Sequence, residues 1–190
     1  MNGYTYRSLI LFDLSEIPSD PDYQVVVLSA SLSLTTKTFR NWPEVTISLH
    51  RLTESWVNDP ENVSWSKRDA STNWSTLGGS FEGTASSTLT GLFATANETN
   101  SFVGLEQDVQ FWIDNPDQNF GWILVNHQDS ESNNFKSFYG HYDPSNPTWF
   151  PMTLTVEYML LPIPEVSTFG QLLFGAGFLA FFRLRKRTVS

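Results

Sequence analysis

The chain contains no cysteine among its 190 residues. Disulfide bonds, thiolate nucleophiles and cysteine-based metal sites are therefore excluded. Histidine occurs only three times, at positions 50, 127 and 141, each in a polar setting that predicts a surface position. The H-E-x-x-H, phosphate-loop and G-x-S-x-G motifs are absent, and the acidic residues show no spacing typical of a glycosidase pair. We therefore expect a protein that is not an enzyme.

Basic residues are also scarce. The chain has 11 Lys and Arg against 20 Asp and Glu, which gives a formal net charge of −9. Four of the basic residues lie among the last eight positions, so the rest of the chain is still more acidic. Such a chain repels the phosphate backbone of nucleic acids, and we expect no nucleic-acid partner.

Alternation of apolar and polar residues marks three stretches, at positions 28–34, 45–50 and 152–158. A period of two with one apolar face predicts strands that are half buried against a second layer. Two denser apolar runs, at 6–14 and 120–125, are bounded by turn residues and predict central strands. Frequent turns rich in proline, aspartate and asparagine separate these segments.

One short helix interrupts the β pattern. Its apolar positions follow helical spacing, at Leu105, Val109, Trp112 and Ile113. Residues 115–116, Asn-Pro, end this helix. The segment before it, residues 79–102, is predicted to be a loop-rich crossing with one or two strands. The pattern predicts an all-β protein, a two-sheet antiparallel β-sandwich with one short helix.

The order of motifs resembles that of the DNRLRE domain, a family similar to carbohydrate-binding modules. The chain shows, in order, the segments YRSLILFDLSEIP, VVLSASLSL, LTESW, WSTLGGSF and GWILV, and the resemblance covers about residues 6–158. It implies a jelly-roll-like sandwich over residues 1–160 that binds polysaccharide and does no chemistry. Family members usually carry one or two strands before R-S-L, so we expect the N-terminus to be truncated.

Six aromatic residues in polar, turn-rich segments are the candidate sugar-binding positions, because planar rings stack on the apolar C–H face of a pyranose. They are Trp42, Trp65, Trp74, Tyr139, Tyr142 and Trp149. Three other tryptophans, Trp56, Trp112 and Trp122, sit in apolar patterns and are predicted to be core. Arg7 is expected to pair with a carboxylate such as Asp13. The acidic charge favours a neutral glycan over an anionic one such as alginate, for which Arg51, Lys67 and Arg68 are the only local cations.

Structural Ca²⁺ is the candidate cofactor. Three oxygen-rich loops could supply ligands: Asp59, Glu61 and Asn62; Asp114, Asp117 and Asn119; Asp129, Glu131 and Asn133. None of them has the EF-hand spacing. Asp and Asn in turns also serve backbone geometry, so both interpretations remain open.

The C-terminal segment, residues 161–190, has a different character. Seventeen uncharged residues, 166–182, precede a basic cluster formed by Arg183, Arg185, Lys186 and Arg187. The run is long enough for a single transmembrane helix, and it is apolar all round rather than amphipathic. The basic cluster places the C-terminus in the cytoplasm and the preceding domain outside.

Pro164, Glu165, Ser167 and Thr168, followed by this helix and the basic residues, resemble the PEP-CTERM sorting signal. Val166 departs from it, since the family usually has a second proline there. The resemblance implies an exported protein of a Gram-negative bacterium, held transiently in the inner membrane. An exosortase would then sort it to the cell surface or the extracellular matrix.

Three functions remain open. The first is an exported, non-catalytic carbohydrate-binding protein of the surface layer or matrix. The second is a structural surface protein that binds protein partners. The third is an ancillary domain of a polysaccharide-degrading enzyme.

Overall fold

A computed structural model describes residues 7–39, 45–56, 59–92, 96–127, 136–139, 152–164 and 183–189. Its strands are β1 (Ser8–Ile10), β2 (Tyr23–Phe39), β3 (Val45–Arg51), β4 (Ser87–Leu92), β5 (Thr99–Val103), β6 (Trp122–Asn126), β7 (Lys136–Phe138), β8 (Thr153–Pro162) and β9 (Arg183–Val189). The helix α1 spans Glu106–Asp114, and two 3₁₀ turns, η1 (Pro60–Asn62) and η2 (Pro116–Gln118), complete the set.

The strands form two antiparallel sheets. The first has the order β1-β6-β3-β4, and the second has the order β5-β2-β8-β9, with β7 also pairing with β2. The all-β, sandwich-like fold with one short helix is therefore confirmed. The helix predicted around residues 105–113 is α1, and the crossing at 79–102 contains the strands β4 and β5.

Both sheets contribute alternate residues to one main core. Ile47 and Leu49 of β3 meet Leu32 and Leu34 of β2 and Leu154 of β8 in a single buried cluster. Burial of one apolar face from each sheet is the main force that holds such layers together. Trp112 and Trp122 belong to this cluster, as predicted, and their rings pack edge to face with centroids 4.5 Å apart.

A β-bulge changes which residues of β2 face the core. The register to β8 shifts between Val27 and Ser29, so Leu28 is an extra residue in the strand. Val25 is buried before the bulge and Ala30 after it, whereas Leu28 is exposed. The alternation at 28–34 therefore predicts the burial of Ala30, Leu32 and Leu34 correctly and that of Leu28 wrongly. One inserted residue changes which side of the sheet the residues after it face.

The helix α1 supports this bulge through one side chain. Gln110 accepts a hydrogen bond from the Val27 backbone N–H at 2.9 Å and donates to the Val25 carbonyl at 3.1 Å. The two backbone groups would otherwise lack the regular ladder partners that a strand provides. A single glutamine thus fixes α1 against the start of β2.

The predicted central position of the run at 6–14 is wrong for the described part of the chain. Its strand, β1, has three residues and stands at the end of the first sheet, where it pairs with β6. The run at 120–125 does lie inside the sheet, since β6 pairs with β1 on one side and with β3 on the other.

A long loop covers the outer face of the first sheet. Leu52 and Trp74 from this loop pack on Ile123 of β6 and form a second, smaller core. As a result β3 is buried on both faces, and its polar residues Ser48 and His50 are buried as well. The sequence pattern predicted only one buried face for β3, because the loop residues are polar and carry no strand periodicity.

The described part of the C-terminal segment forms the outer strand of the second sheet. Residues 183–189, β9, pair antiparallel with residues 154–160 of β8. The strand β8 continues to Pro162, two residues beyond the predicted domain boundary at 160. None of the helices in the described ranges has the length and apolar character needed to span a bilayer. The predicted transmembrane segment, 166–182, lies outside those ranges.

Candidate functional site

The six candidate sugar-binding residues do not come together in the described structure. Trp42, Tyr142 and Trp149 lie outside the described residues. Trp65 and Trp74 belong to the loop over the first sheet, whereas Tyr139 follows β7 beside the second sheet. Each of these three residues therefore has its own surroundings.

Trp74 is a core residue. It is only 5% exposed, and its ring packs with Leu52 and Ile123. The indole Nε1 donates a hydrogen bond to the Ser64 carbonyl at 3.0 Å, which satisfies the polar edge of the ring. A ring enclosed in this way has no open face for a sugar.

Trp65 is exposed, but a cation already occupies part of its surface. It is 42% exposed, and the Arg7 guanidinium carbon lies 4.7 Å from its ring centroid. Arg7 also lies 5.2 Å from the Phe81 ring centroid and donates from Nη1 to the Gly78 carbonyl at 2.7 Å. Arg7 therefore binds two aromatic rings and a carbonyl group, and the expected pairing with Asp13 is not among its described contacts.

Gly78 permits this arrangement. Its φ of +85° lies in the left-handed region, and its N–H donates to the Trp65 carbonyl at 2.6 Å. A Cβ at this position would lie 2.7 Å from both the Arg7 Nη1 and the Trp65 ring. Only glycine accommodates both the backbone conformation and the close contact.

Tyr139 is partly buried at the edge of the second sheet. Its hydroxyl donates to Asn97 Oδ1 at 3.1 Å, and its backbone N–H donates to the Thr35 carbonyl. These bonds attach the residue to the β2 and β5 region.

His50, predicted to lie at the surface, is instead 8% exposed and part of a hydrogen-bonded chain. Its Nδ1 lies 2.8 Å from the Glu82 carbonyl, so Nδ1 is the donor and Nε2 accepts from Ser48 Oγ at 2.8 Å. Ser48 Oγ in turn accepts from His127 Nε2 at 2.9 Å. His127 is exposed as predicted, and His141 lies outside the described residues.

This Ser-His arrangement is structural. Ser48 is buried, so no substrate can reach its hydroxyl, and its bonds to His50 and His127 satisfy that group in place. The alternating pattern of β3 could have indicated that Ser48 and His50 share a face. It could not indicate that a distant loop buries that face.

A groove lined by other segments of the chain has the shape of a ligand site. It encloses about 760 Å³ and is formed by the loop at residues 13–20, the first residues of β2, the C-terminal end of α1, η2 and Ile163. The Tyr23 side chain lines it and is 43% exposed. Clefts of this volume with an aromatic wall are a common form of small-molecule sites.

Two residues that line the groove carry polar atoms without a hydrogen-bond partner among the described residues. Trp112 is 2% exposed, and its indole Nε1 is unpaired; Asn119 has an unpaired Oδ1, although its Nδ2 donates to the Phe12 carbonyl. By contrast, the Trp122 Nε1 donates to Asp108 Oδ2 at 2.6 Å. An unpaired buried donor or acceptor destabilises a protein by roughly 1–3 kcal/mol, so these two atoms lower the stability of the groove wall.

The charged groups of the groove are all negative. Asp13, Asp20 and Asp114 line it, and none of its described lining residues is Lys, Arg or His. Hydrogen bonds from Ser15, chiefly from its backbone N–H, hold the pKa of Asp13 below its usual range, so this carboxylate stays ionised. An anionic ligand would be repelled, whereas a neutral or cationic one would not.

The calcium prediction stays a prediction. In the described ranges no three Asp, Glu or His side chains converge on a point that could hold a metal ion. In the first proposed loop, Asp59 uses both oxygens locally, to accept from Asn62 Nδ2 and from the Ala70 N–H. In the second, Asp114 accepts from Gln110. The third loop, 129–133, lies outside the described residues.

The predicted sorting residues are only partly described. Pro164 follows β8, while Glu165, Ser167 and Thr168 lie outside the described residues. The basic cluster at 183, 185, 186 and 187 lies in β9, whose backbone pairs with β8. Comparisons with family models, curated proteins and solved structures found no match.

The groove itself could not be identified from the sequence. Trp112 was predicted to be a core residue, which is correct. That it also lines the groove depends on tertiary contacts. Tyr23 follows the turn sequence SDPD and begins a strand, so a tyrosine at a strand start was the only signal. Three segments far apart in the chain meet only in the folded protein.

Proposed function

We propose that this protein is a non-catalytic glycan-binding module and that the groove beside Tyr23 is its binding site. The observation that carries the proposal is a half-exposed tyrosine ring in a groove of about 760 Å³ whose wall also carries polar side chains. A pyranose needs both elements. Its C–H face stacks on an aromatic ring, and its hydroxyls need one donor and one acceptor close by.

Neutral polysaccharide is the ligand class that the charge supports. Three carboxylates and no described cation line the groove, so uronates and phosphorylated glycans are disfavoured. Carboxylate and amide oxygens instead accept hydrogen bonds from sugar hydroxyls. Trp65 and Tyr139 remain secondary candidates, and Trp74 is left out because it is buried.

The test is affinity-gel electrophoresis against a panel of neutral polysaccharides with wild type, Tyr23→Ala and Leu77→Ala. Leu77 is an exposed apolar residue of the loop over the first sheet and serves as the control. We expect one polysaccharide to retard the wild type, about tenfold weaker retention for Tyr23→Ala, and wild-type retention for Leu77→Ala.

Other results would favour other functions. If Trp65→Ala, and not Tyr23→Ala, removes binding, the site lies at the Trp65 surface. If no polysaccharide retards the wild type, glycan binding is wrong, and a structural surface protein that binds protein partners becomes the better proposal. A catalytic domain encoded upstream of Met1 would favour an ancillary domain of a polysaccharide-degrading enzyme.

We also propose jelly-roll-like connectivity and a sorting function for the C-terminal segment. The mixing of distant strands within each sheet, such as β1 beside β6 and β2 beside β8, supports the first. The sequence at 164–168, the uncharged run and the basic cluster support export, transient anchoring by residues 166–182 and recognition by an exosortase.

Sorting is tested by deletion of residues 164–190 in an exosortase-bearing host. We expect the truncated protein to change its distribution between the membrane, the cell surface and the medium. An unchanged distribution would contradict the sorting proposal and leave the glycan proposal untouched.

A further inference from the structure

The outward face of the second sheet changes character at the β-bulge in β2. Before the bulge the outward positions include the apolar residues Val26 and Leu28, and after it they are the serines Ser29, Ser31 and Ser33. The change is abrupt, because the extra residue of the bulge places two consecutive side chains, Leu28 and Ser29, on the outward side.

The neighbouring strand β8 changes at the same level. Glu157 pairs with Ser29 and accepts a hydrogen bond from its hydroxyl at 3.1 Å. The next outward position of β8, Met159, pairs with Val26, and Leu161 follows on the same face. These residues form one apolar surface across two strands, called here the apolar patch: Val26, Leu28, Met159 and Leu161. Leu28 is 41% exposed, and the other three are half-buried.

The apolar patch is separate from the groove. Tyr23 and Val25, at alternate positions of β2, line the groove, whereas the four patch residues are not among those that line it. Gln24, the partner of Leu161 in β8, is uncharged. An apolar surface that crosses two strands and has no charged residue within it is a candidate contact surface.

The course of the chain beyond β8 indicates what this surface contacts. The strand β8 ends at Pro162, and the uncharged run 166–182 begins five residues after Leu161. Five residues span at most about 17 Å when fully extended. If the run is inserted in a membrane from residue 166, Leu161 therefore lies within that distance of the bilayer.

We propose that the apolar patch lies on the lipid bilayer and holds the sandwich in one orientation on the membrane. The inference rests on the proposed anchoring by residues 166–182 and adds the surface that meets the lipid. Met159 and Leu161 are about 7 Å apart along the strand, which agrees with the roughly 5–10 Å that interfacial apolar groups penetrate. The outward serines, from Ser29 onwards, then remain in water.

Uncharged lipid headgroups are sufficient for this contact. The patch has no charge of its own, and the charged residues that border it in sequence, Asp22 and Glu157, are acidic. Anionic lipids would repel these carboxylates rather than attract them. The probe membrane is therefore a vesicle of phosphatidylcholine.

The test uses single-cysteine variants of the full chain, which has no cysteine of its own. Leu28→Cys carries a nitrobenzoxadiazole label, and the protein is reconstituted into phosphatidylcholine vesicles that contain lipids with a nitroxide close to the headgroup. We expect the label at position 28 to lose about half of its fluorescence, because it lies at the depth of the nitroxide.

Two exposed apolar residues provide matched controls. Val103, 63% exposed, pairs with Ser31 and so lies on the same sheet beyond the bulge. Leu77, 64% exposed, lies in the loop over the first sheet. We expect labels on Val103→Cys and Leu77→Cys to keep nearly all of their fluorescence in the same vesicles.

Flotation of the wild type with the vesicles separates the two ways in which the inference can fail. If the wild type does not float, the anchoring proposal and this inference are both overturned. If it floats but the three labels are quenched equally, only the contact of the patch with lipid is overturned. A label at position 28 that is blue-shifted but not quenched would show that a second copy of the chain covers the patch, which also overturns the assignment to lipid.

Discussion

Trp65 and Tyr23 are the two exposed aromatic side chains in the described part of the chain, and their neighbours differ completely. Trp65 lies against a guanidinium, that of Arg7, and close to Gly78. Tyr23 lies in a groove with three carboxylates and two unpaired polar atoms. Similar exposure therefore accompanies a contact with a cation at Trp65 and an open groove at Tyr23, and only the neighbouring residues distinguish the two.

The largest expected effect is on the free energy of unfolding, in a matched pair of tryptophan variants. Trp122→Phe removes the 2.6 Å hydrogen bond to Asp108, whereas Trp112→Phe removes an N–H without a described partner. We expect Trp122→Phe to lower the free energy of unfolding by about 3 kcal/mol and Trp112→Phe by about 1 kcal/mol. Urea denaturation measures both.

Affinity should not follow the same order. Both indole N–H groups are buried, so both folded variants are expected to keep wild-type glycan affinity. A loss of affinity in Trp112→Phe alone would show that this N–H takes part in binding.

The next effect concerns the Trp65 surface. Gly78→Ala places a Cβ 2.7 Å from Arg7 and Trp65 at a φ of +85°. We expect a loss of about 2 kcal/mol in the free energy of unfolding with unchanged affinity at the groove. Gly83→Ala, where a Cβ meets nothing within 4 Å, is the control and should remain close to wild type.

A smaller effect is expected for Trp65→Ala. It removes the contact with Arg7, so thermal unfolding should show a loss of about 1 kcal/mol, while calorimetric affinity at the Tyr23 groove stays the same. A large loss of glycan affinity in this variant would reverse the comparison and make Trp65 the binding residue.

The smallest effect is a pH response of the loop that carries Trp65. The backbone N–H of Ser71, followed by further bonds from Thr72 and Ser71, lowers the pKa of Asp69 to about 2. Because the folded pKa lies below the unfolded one, this stabilisation is complete above about pH 4 and is lost as the pH falls towards 2. NMR titration of the Asp69 carboxyl should give a midpoint near 2, and a midpoint near 3.8 would contradict it.

The sequence predicted the sheets better than it predicted the surfaces between distant segments. Alternation identified Leu154, Val156 and Tyr158 as core because each strand carries its own pattern. It misplaced Leu28, since a bulge depends on the partner strand, and His50, since a polar loop buries it. The groove escaped for the same reason, because residues 13–20, 112–119 and 163 meet only after folding.

The pairing of β9 with β8 competes with the predicted position of the same basic residues on the far side of a membrane. In the described structure, residues 183–189 extend the second sheet. If residues 166–182 cross a membrane with this basic cluster on the far side, the same residues lie a bilayer away from β8. The two arrangements exclude each other, so membrane insertion would leave β8 as an open edge strand able to pair with another chain. The position of residues 183–189 would then determine both where the protein resides and whether its second sheet is complete.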